Sequence, residues 1–371
     1  MMNGLLLSWL KFIFFVLVLQ LAVQCGSAGK HVMKDAPVTY YTTDDFLNVD
    51  KFDSHVHLNT TDSAYIIQVR ADRMRFLDIV DDRPFGITMY DQERIAIHQV
   101  NMFPRIVSYA TTFSTNHFES AQWPDETLAA LKRALGNGAV AVKIWKNIGL
   151  GLKDSKGKFV MVDDPRLDLI LNFLEENNIP LIGHLGEPKN AWLPLEQMTV
   201  NGDRNYFSQH PEYHMYLHTE FPSYEDQVRA RDHMLEKHPR LRFVGAHLGS
   251  LEWSLDELAK RLDKFPNMAV DLARMSHLHL HAKENREKTR QFFITYQDRL
   301  LYATDIQVND TRDTAAMKRH AHDSRMYNWK FFVTDELMTD ADVTGSFRGL
   351  KLPKEVVDKI YIKNAKRWLK V

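Results

Sequence analysis

The sequence predicts an α/β protein: a single (β/α)₈ (TIM) barrel with long loops after its fifth and eighth strands. Short apolar runs typical of β-strands alternate along the chain with longer amphipathic runs typical of helices. Eight runs of each kind alternate, which is the pattern expected of parallel strands surrounded by helices. Histidine or aspartate ends several strand segments, at the positions where barrels carry their active sites.

The predicted strands are short, and the second is the least regular because Pro84 and Gly86 disturb it. The eight segments are Lys51–Val56, Phe85–Tyr90, Arg105–Ala110, Ala139–Trp145, Ile179–His184, Leu241–His247, Asn267–Leu272 and Arg299–Thr304.

The predicted helices are longer, and several begin with a cap or a first-turn proline, as at Asp164-Pro165 and Trp123-Pro124. Two connections exceed the usual few residues: Leu185–Ser223 after the fifth strand and Ile306–Leu352 after the eighth. Because both follow strand C-termini, they are candidate lids or substrate walls. The eight helical segments are Ser63–Val80, Asp91–Asn101, Pro124–Leu135, Pro165–Asn177, Tyr224–His238, Leu251–Lys264, Lys283–Gln297 and Pro353–Leu369.

The N-terminal residues are predicted to be a leader and not part of the fold. Phe12–Val23 is apolar, short for a membrane-spanning helix and suited to a signal peptide, although an uncleaved anchor is an alternative. The segment ending in Cys25 loosely resembles a bacterial lipobox, so Cys25 would be lipidated; cleavage after Ala28 is the competing interpretation. We expect a signal peptide or lipoprotein signal over residues 1–28, a linker over 29–48 and the barrel domain over 49–371. The protein would then be exported, either periplasmic or anchored to the membrane through Cys25.

Composition and charge exclude several classes of function. Cys25 is the only cysteine, so the mature domain has neither a disulfide nor a catalytic thiol. The net charge is −1, charges of both signs are interspersed, and no basic block is present. Nucleic acid is therefore not an expected partner, whereas a small-molecule substrate is.

Histidine and aspartate side chains at strand ends predict a metal site. His55 and His57 are two residues apart on an extended segment, so their side chains share a face. Later strands end in His184, His247 and Asp305, and in a barrel all these ends meet at one mouth. The two-residue period of a strand also places His184 on the same face as Ile182, His247 on that of Gly245 and Asp305 on that of Ala303. Imidazole nitrogen and carboxylate oxygen suit Zn²⁺ and other first-row divalent ions.

These residues resemble the signature of the amidohydrolase superfamily. The phrases Gly183-His-Leu-Gly-Glu-Pro188, Gly245-Ala-His-Leu-Gly249 and Ala303-Thr-Asp305 are similar to its amidohydrolase-related branch. That branch includes aminocarboxymuconate-semialdehyde decarboxylase and pyrone-dicarboxylate lactonase. Gly349-Leu-Lys-Leu-Pro353, followed by Lys363-Asn-Ala365, resembles the tail of the same branch.

The resemblance implies a role for each matching residue. His55, His57, His184 and Asp305 would hold one divalent metal ion, with Zn²⁺ expected and Mn²⁺ or Fe²⁺ as alternatives. His247 would polarise a substrate oxygen or stabilise a developing anion, and Asp305 would also move a proton to and from activated water. A homodimer is a family expectation.

Three further residues are candidate substrate contacts. Lys143, in the fourth predicted strand, would contact substrate or form an ion pair; carboxylated, it would bridge two metal ions instead, and a purely structural role is also open. Glu187 lies in the first long connection, among aromatic and basic residues suited to a pocket wall. Arg274, just beyond the seventh strand, would bind a substrate carboxylate or form a salt bridge with Asp271 or with an acid on a helix.

The main hypothesis is a metal-dependent hydrolase that uses metal-activated water on an amide, a lactone or a cyclic carboxylate. The first alternative is a non-oxidative decarboxylase of an aromatic or unsaturated carboxylate on the same metal site. The second alternative, from a different class, is an inactive exported binding protein.

Overall fold

The sheet consists of nine parallel strands in the computed structural model, which describes residues 38–83 and 86–371. Their order is β8-β7-β6-β5-β4-β3-β2-β1-β9, so each of the first eight strands lies beside its neighbour in sequence. The strands are β1 (Lys51–Leu58), β2 (Met74–Ile79), β3 (Val107–Thr111), β4 (Ala139–Ile144), β5 (Leu181–Gly183), β6 (Phe243–Gly245), β7 (Met268–Asp271), β8 (Leu300–Leu301) and β9 (Ile306–Val308).

The sheet closes because its last two strands are two parts of one broken strand. β8 pairs with β7, whereas β9 pairs with β1, in parallel in both cases. Between them, the backbone N–H of Ser54 donates to the carbonyl of Tyr302 at 2.9 Å, and that of Asp305 donates to the carbonyl of His55 at 2.9 Å. The predicted (β/α)₈ barrel is therefore confirmed, with a closure that places Asp305 directly against β1.

Helices follow the strands, and most agree with the predicted segments to within a few residues. The last predicted helix is interrupted by a π-helical turn over Lys359–Lys363. The helices are α1 (Ala64–Ala71), α2 (Met89–Met102), α3 (Trp123–Gly136), α4 (Asp168–Glu176), α5 (Asn201–Gln209), α6 (Tyr224–Lys237), α7 (Leu255–Lys264), α8 (Met275–Thr295), α9 (Thr314–Val333), α10 (Lys354–Asp358) and α11 (Asn364–Leu369).

The second strand lies earlier in the chain than predicted. Strand β2 occupies Met74–Ile79, which the sequence analysis assigned to the end of a helix over Ser63–Val80. Five of its six residues are buried, so its apolar run has no alternation and resembles a buried helical segment in sequence. The predicted strand over Phe85–Tyr90 is wrong: Phe85 lies outside the described residues, and α2 begins at Met89 behind a Thr88 cap.

Both long connections contain secondary structure of their own. The first, after β5, contains α5 and several short 3₁₀ turns. The second, after β8, contains β9, α9 and an antiparallel hairpin of β10 (Leu337–Asp340) and β11 (Val343–Arg348). The carbonyl of Asp342, in the hairpin turn, accepts from the backbone N–H of Asn201 at 2.9 Å. The two insertions therefore meet at the N-terminus of α5.

The barrel interior is packed by one layer of apolar side chains that includes a residue from each of the strands β1 to β8. Lys143, His184 and Asp271 each lie two residues beyond a member of this layer, so on β4, β5 and β7 they occupy the next layer towards the strand C-termini. The layer contains Phe52, Leu77, Ala110, Ala141, Ile182, Val244, Ala269 and Leu301, and α11 covers it with Trp368 and Leu369.

Part of the predicted N-terminal linker is described in the structure. Residues 43–48, which the sequence analysis placed in the linker, form a 3₁₀ helix whose Phe46 is buried and contacts Trp329. The predicted leader, with Cys25 and Ala28, lies outside the described residues. Among the helices of residues 38–83 and 86–371, none combines the length and apolar character needed to cross a membrane.

Gly245, at the end of β6, is required by close packing of two backbones. A Cβ atom at this position would lie 2.7 Å from the Cα atom of Gly249. We expect Gly245→Ala to lower the free energy of unfolding by about 1–3 kcal/mol, because one of the two segments must move. Denaturant unfolding followed by circular dichroism measures this.

Gly136→Ala is the matched control, because a Cβ at the end of α3 would meet nothing within 4 Å. This variant should be neutral or more stable by about 0.4–1 kcal/mol, through the reduced entropy of the unfolded chain. Equal losses in the two variants would show that the contact between Gly245 and Gly249 does not limit this position.

Candidate metal centre

Strand β1 brings His55 and His57 together at the mouth of the barrel. Both side chains are almost fully buried, and their Nε2 atoms lie 3.3 Å apart. This contact follows from the i, i+2 spacing on a strand, as the sequence predicted.

Asp271, at the end of β7, orients His55. Its Oδ2 atom lies 2.7 Å from His55 Nδ1, and its Oδ1 atom accepts from the backbone N–H of His247 at 2.7 Å. Because an ionised carboxylate only accepts, His55 Nδ1 donates to Asp271, and Nε2 is the ring nitrogen left to face His57. A carboxylate behind a histidine is the usual arrangement around a metal ligand.

The tautomer of His57 is set by the carbonyl of Ile79, which lies 2.8 Å from Nδ1 and can only accept. Arg83 Nη2 lies 3.2 Å from the same nitrogen, but two donors cannot share a hydrogen bond, so the shorter contact with the carbonyl decides. Burial lowers the pKa of His57 to about 4, against the opposing charge of Asp81. The ring is therefore neutral at pH 7, and its Nε2 atom presents a lone pair towards that of His55.

Asp305 completes a group of three ligands. Its Oδ1 atom lies 3.4 Å from His55 Nε2 and 3.5 Å from His57 Nε2. Its backbone is in the left-handed region, with φ of +57°. Strand β8 ends at Leu301, so this turn, and not the predicted strand parity, brings the carboxylate to the group.

The chemistry of this donor set fits a divalent ion. Two imidazole nitrogens and a carboxylate oxygen lie within 4.8 Å of one another. Such a cluster is unfavourable without a positive charge at its centre, and imidazole with carboxylate suits first-row divalent metals. His55, His57 and Asp305 are thus brought together as a group that could hold a metal ion.

His247 lies beside this group in a tight turn that follows β6. Residues 247 and 248 have φ of +55° and +58°, so the chain has already left the strand and the predicted parity with Gly245 does not apply. His247 Nε2 is 3.8 Å from Asp305 Oδ2, and Nδ1 is 3.3 Å from the carbonyl of Ala273. Burial lowers the pKa of His247 to about 3. In the neutral ring, Nδ1 therefore donates and Nε2 accepts.

His184 follows β5, and its ring centroid lies 4.5 Å from that of His247. Its Nε2 atom is buried and has no hydrogen-bond partner among the described residues. His184 is not one of the three residues whose ligand atoms lie within 4.8 Å of one another. Its assignment as a fourth ligand stays a prediction, and the unsatisfied nitrogen is the observation in its favour.

Lys143, in β4, has a buried amine with no hydrogen-bond partner in the described part of the chain. Burial lowers its pKa, although Asp271, Asp81 and Asp305 oppose this. The structure shows no ion pair for this lysine among the described residues. Substrate contact and a bridging carbamate both remain consistent with its position.

The other two predicted substrate contacts have protein partners. Glu187 forms a buried ion pair with Lys146. Arg274 Nη1 lies 3.7 Å from Asp203 Oδ1, in the inserted helix α5, whereas Asp271 is occupied by His55 and His247. Of the two salt bridges expected for Arg274, the one to a helix acid is found, with Asp203, whereas none to Asp271 occurs among the described residues.

The acids that contact His55, His57 and Arg274 were not predicted as site residues from the sequence. Asp271 lies at the end of a predicted strand, which is the same pattern that indicated Asp305. The sequence could therefore have indicated Asp271 as well. Asp81 lies 3.6 Å from His57 Nδ1 and follows β2. Because β2 was predicted in the wrong place, Asp81 was not recognised as a residue at a strand end. Asp203 has no such local signal, because it lies within an insertion.

We expect Asp271→Asn to weaken metal binding about 10–100-fold while the fold is retained. The amide has one acceptor oxygen, so it cannot accept from both His55 Nδ1 and the N–H of His247. Elemental mass spectrometry after dialysis against graded chelator measures the loss. Wild type should retain about one divalent ion per chain and His55→Ala none, whereas two ions would indicate a carboxylated Lys143.

Asp340→Asn is the control, because Asp340 also accepts from a buried histidine, His279, but at the hairpin. Its metal content should equal that of wild type. Undiminished binding in Asp271→Asn would show that Asp271 does not support the metal centre.

Comparisons with known proteins show the family and agree with the barrel fold. The amidohydrolase family model matches residues 109–371. No curated protein shows a significant match to the chain. Among solved structures, an uncharacterised TIM-barrel protein from Bordetella bronchiseptica has 15% identity and a TM-score of 0.50, covering 87% of this chain and 99% of its own.

A 2,6-dihydroxybenzoate decarboxylase from Rhizobium has 14% identity and a TM-score of 0.50, covering 86% of this chain and 98% of its own. At such low identity these likenesses establish the fold alone. The family match spans more than two thirds of the sequence and includes His184, His247 and Asp305. The chain therefore belongs to the amidohydrolase family.

Proposed function

We propose that this protein is a metal-dependent hydrolase that cleaves a carbonyl C–N or C–O bond in a small amide, lactone or cyclic carboxylate. The observation that carries the proposal is the position of Asp305, whose Oδ1 atom faces two histidine lone pairs while Oδ2 faces His247. One carboxylate is thus placed to serve both a metal ion and a reacting water. Membership of the amidohydrolase family supports an enzyme of this kind.

His55, His57 and Asp305 would hold the ion, with His184 as the fourth ligand. We expect Zn²⁺, with Mn²⁺ or Fe²⁺ as alternatives, because all three accept nitrogen and oxygen ligands. A divalent ion in this position supplies a Lewis acid that acidifies water and polarises a carbonyl oxygen.

Asp305 would act as the general base. Its Oδ2 atom takes the proton of the attacking water and then delivers it to the departing nitrogen or oxygen. His247, in its neutral form, accepts at Nε2 and so orients that water through a hydrogen bond. To stabilise an anion instead, as the family resemblance implies, His247 would first need a proton at Nε2.

Arg274 would bind a carboxylate of the substrate. Its Nε atom is buried without a hydrogen-bond partner in the described part of the chain, which leaves a planar donor edge unsatisfied. A polar cavity of about 430 Å³ lies beside it, lined by Arg274 and by Thr304, the residue before Asp305. The cavity offers room for the part of the substrate that lies away from the metal.

We expect Asp305→Asn to lower turnover by about 10²–10⁴-fold, because the amide cannot accept the proton. The assay is a panel of N-acyl amino acids, lactones and aromatic carboxylates with zinc-loaded protein, followed by mass spectrometry of the products. Metal content is measured on the same samples, so that loss of the ion is separated from loss of the base.

His210→Ala is the control, since His210 lies on the first insertion, paired with Glu212 at 3.3 Å. It should retain wild-type turnover and metal. Near wild-type activity in Asp305→Asn would remove the mechanism, and release of CO₂ without addition of water would identify a decarboxylase instead.

A further inference from the structure

Two histidine–aspartate pairs attach the two insertions to α8. His277 Nε2 lies 3.0 Å from Asp203 Oδ2, in the first insertion, and His279 Nδ1 lies 2.6 Å from Asp340 Oδ2, in the second. Both histidines are about 1% exposed. The N-terminal part of α8 therefore contacts both walls of the barrel mouth.

Asp203 differs from Asp340 because it also faces Arg274. Its Oδ2 atom accepts from His277 and, at 2.8 Å, from Asn190 Nδ2. Its Oδ1 atom faces Arg274 Nη1 at 3.7 Å. Burial acts to raise the pKa of Asp203, but the hydrogen bond from His277 and the charge of Arg274 outweigh it and lower this pKa to about 2. The carboxylate is thus ionised. Its Oδ2 atom contacts His277 and Asn190, and its Oδ1 atom faces the guanidinium of Arg274.

The contact with Asp203 involves only Nη1 of Arg274, so the Nε side of the guanidinium has no acceptor among the described residues. Asp203 approaches Nη1, whereas Nε has no hydrogen-bond partner among the described residues. A guanidinium binds a carboxylate best through two parallel N–H groups on one edge. With Nη1 directed to Asp203, the edge formed by Nε and Nη2 is the one left for a ligand.

We propose that Asp203 is a positioning residue that orients Arg274 for the carboxylate of the substrate. This inference rests on the proposed function, in which Arg274 binds that carboxylate. Two effects of Asp203 oppose each other: its negative charge repels an anionic ligand, and its contact holds the guanidinium in one orientation. The second effect dominates, because His277 and Asn190 already contact Asp203 Oδ2 at hydrogen-bond distance, whereas Arg274 has no other ion-pair partner in the described residues.

The test compares benzoate with benzamide, planar ligands of similar size that differ in charge. Isothermal titration calorimetry on the zinc-loaded full chain gives the ratio of their dissociation constants. Wild type should prefer benzoate by about tenfold or more, as expected for a charge-assisted hydrogen-bonded pair. Arg274→Gln and Asp203→Asn should each lose most of this preference, and Asp203→Glu should recover part of it.

Asp163→Asn is the control, because it removes a carboxylate that pairs with another histidine, His233 at 2.7 Å, and does not line the cavity beside Arg274. It should keep the wild-type preference for benzoate. Should Asp203→Asn fail to fold, Asn190→Leu is the second variant. It removes the hydrogen bond from Asn190 to Asp203 and should lower the preference for benzoate by a smaller factor.

Unchanged or tighter benzoate binding in folded Asp203→Asn would overturn the inference, because repulsion would then dominate. The absence of any preference in wild type would also overturn it, together with the assignment of Arg274. Failure of the proposed function is distinguishable, since it appears as a lack of turnover on the substrate panel, whereas this binding ratio requires no reaction.

Discussion

Two imidazole nitrogens and one carboxylate oxygen face one another at 3.3–3.5 Å in the mouth of the barrel, and this donor set suits a divalent cation. Their lone pairs are directed inwards because each ring donates its other nitrogen to a fixed acceptor: His55 to Asp271, and His57 to the carbonyl of Ile79. These outer contacts determine the tautomers and therefore the ligand character of the site.

Asp271 connects several parts of this arrangement. It accepts from the ring of His55 on β1, from the backbone of His247 after β6 and, at 3.2 Å, from the backbone of Ala273. Residues 247, 248 and 305 have positive φ without being glycine, a conformation that costs roughly 1–2 kcal/mol per residue. Hydrogen bonds to Asp271 and to the carbonyl of His55 hold residues 247 and 305 there. Some stability is thereby exchanged for the placement of His247 and Asp305 around one point.

The insertions add candidate substrate contacts to this group. The first places Asp203 against Arg274, and the second places its hairpin turn on the start of α5. Each is attached to α8 by a buried histidine–aspartate pair. The barrel thus supplies the candidate metal ligands from its strand ends, while the residues that would select a substrate depend on contacts between loops distant in sequence.

The sequence by itself determined the alternation of strands and helices, the i, i+2 pair His55 and His57, and the polar residues that end later strands, because these depend on local periodicity and on barrel topology. It misplaced β2, because a strand buried on both faces has no period that distinguishes it from a buried helix. Only the tertiary structure decided the tautomers, the role of Asp271 and the pairing of Arg274 with Asp203. These depend on distances between segments far apart in the chain. Strand periodicity carries no information about such distances once β6 and β8 end and the backbone turns through left-handed residues.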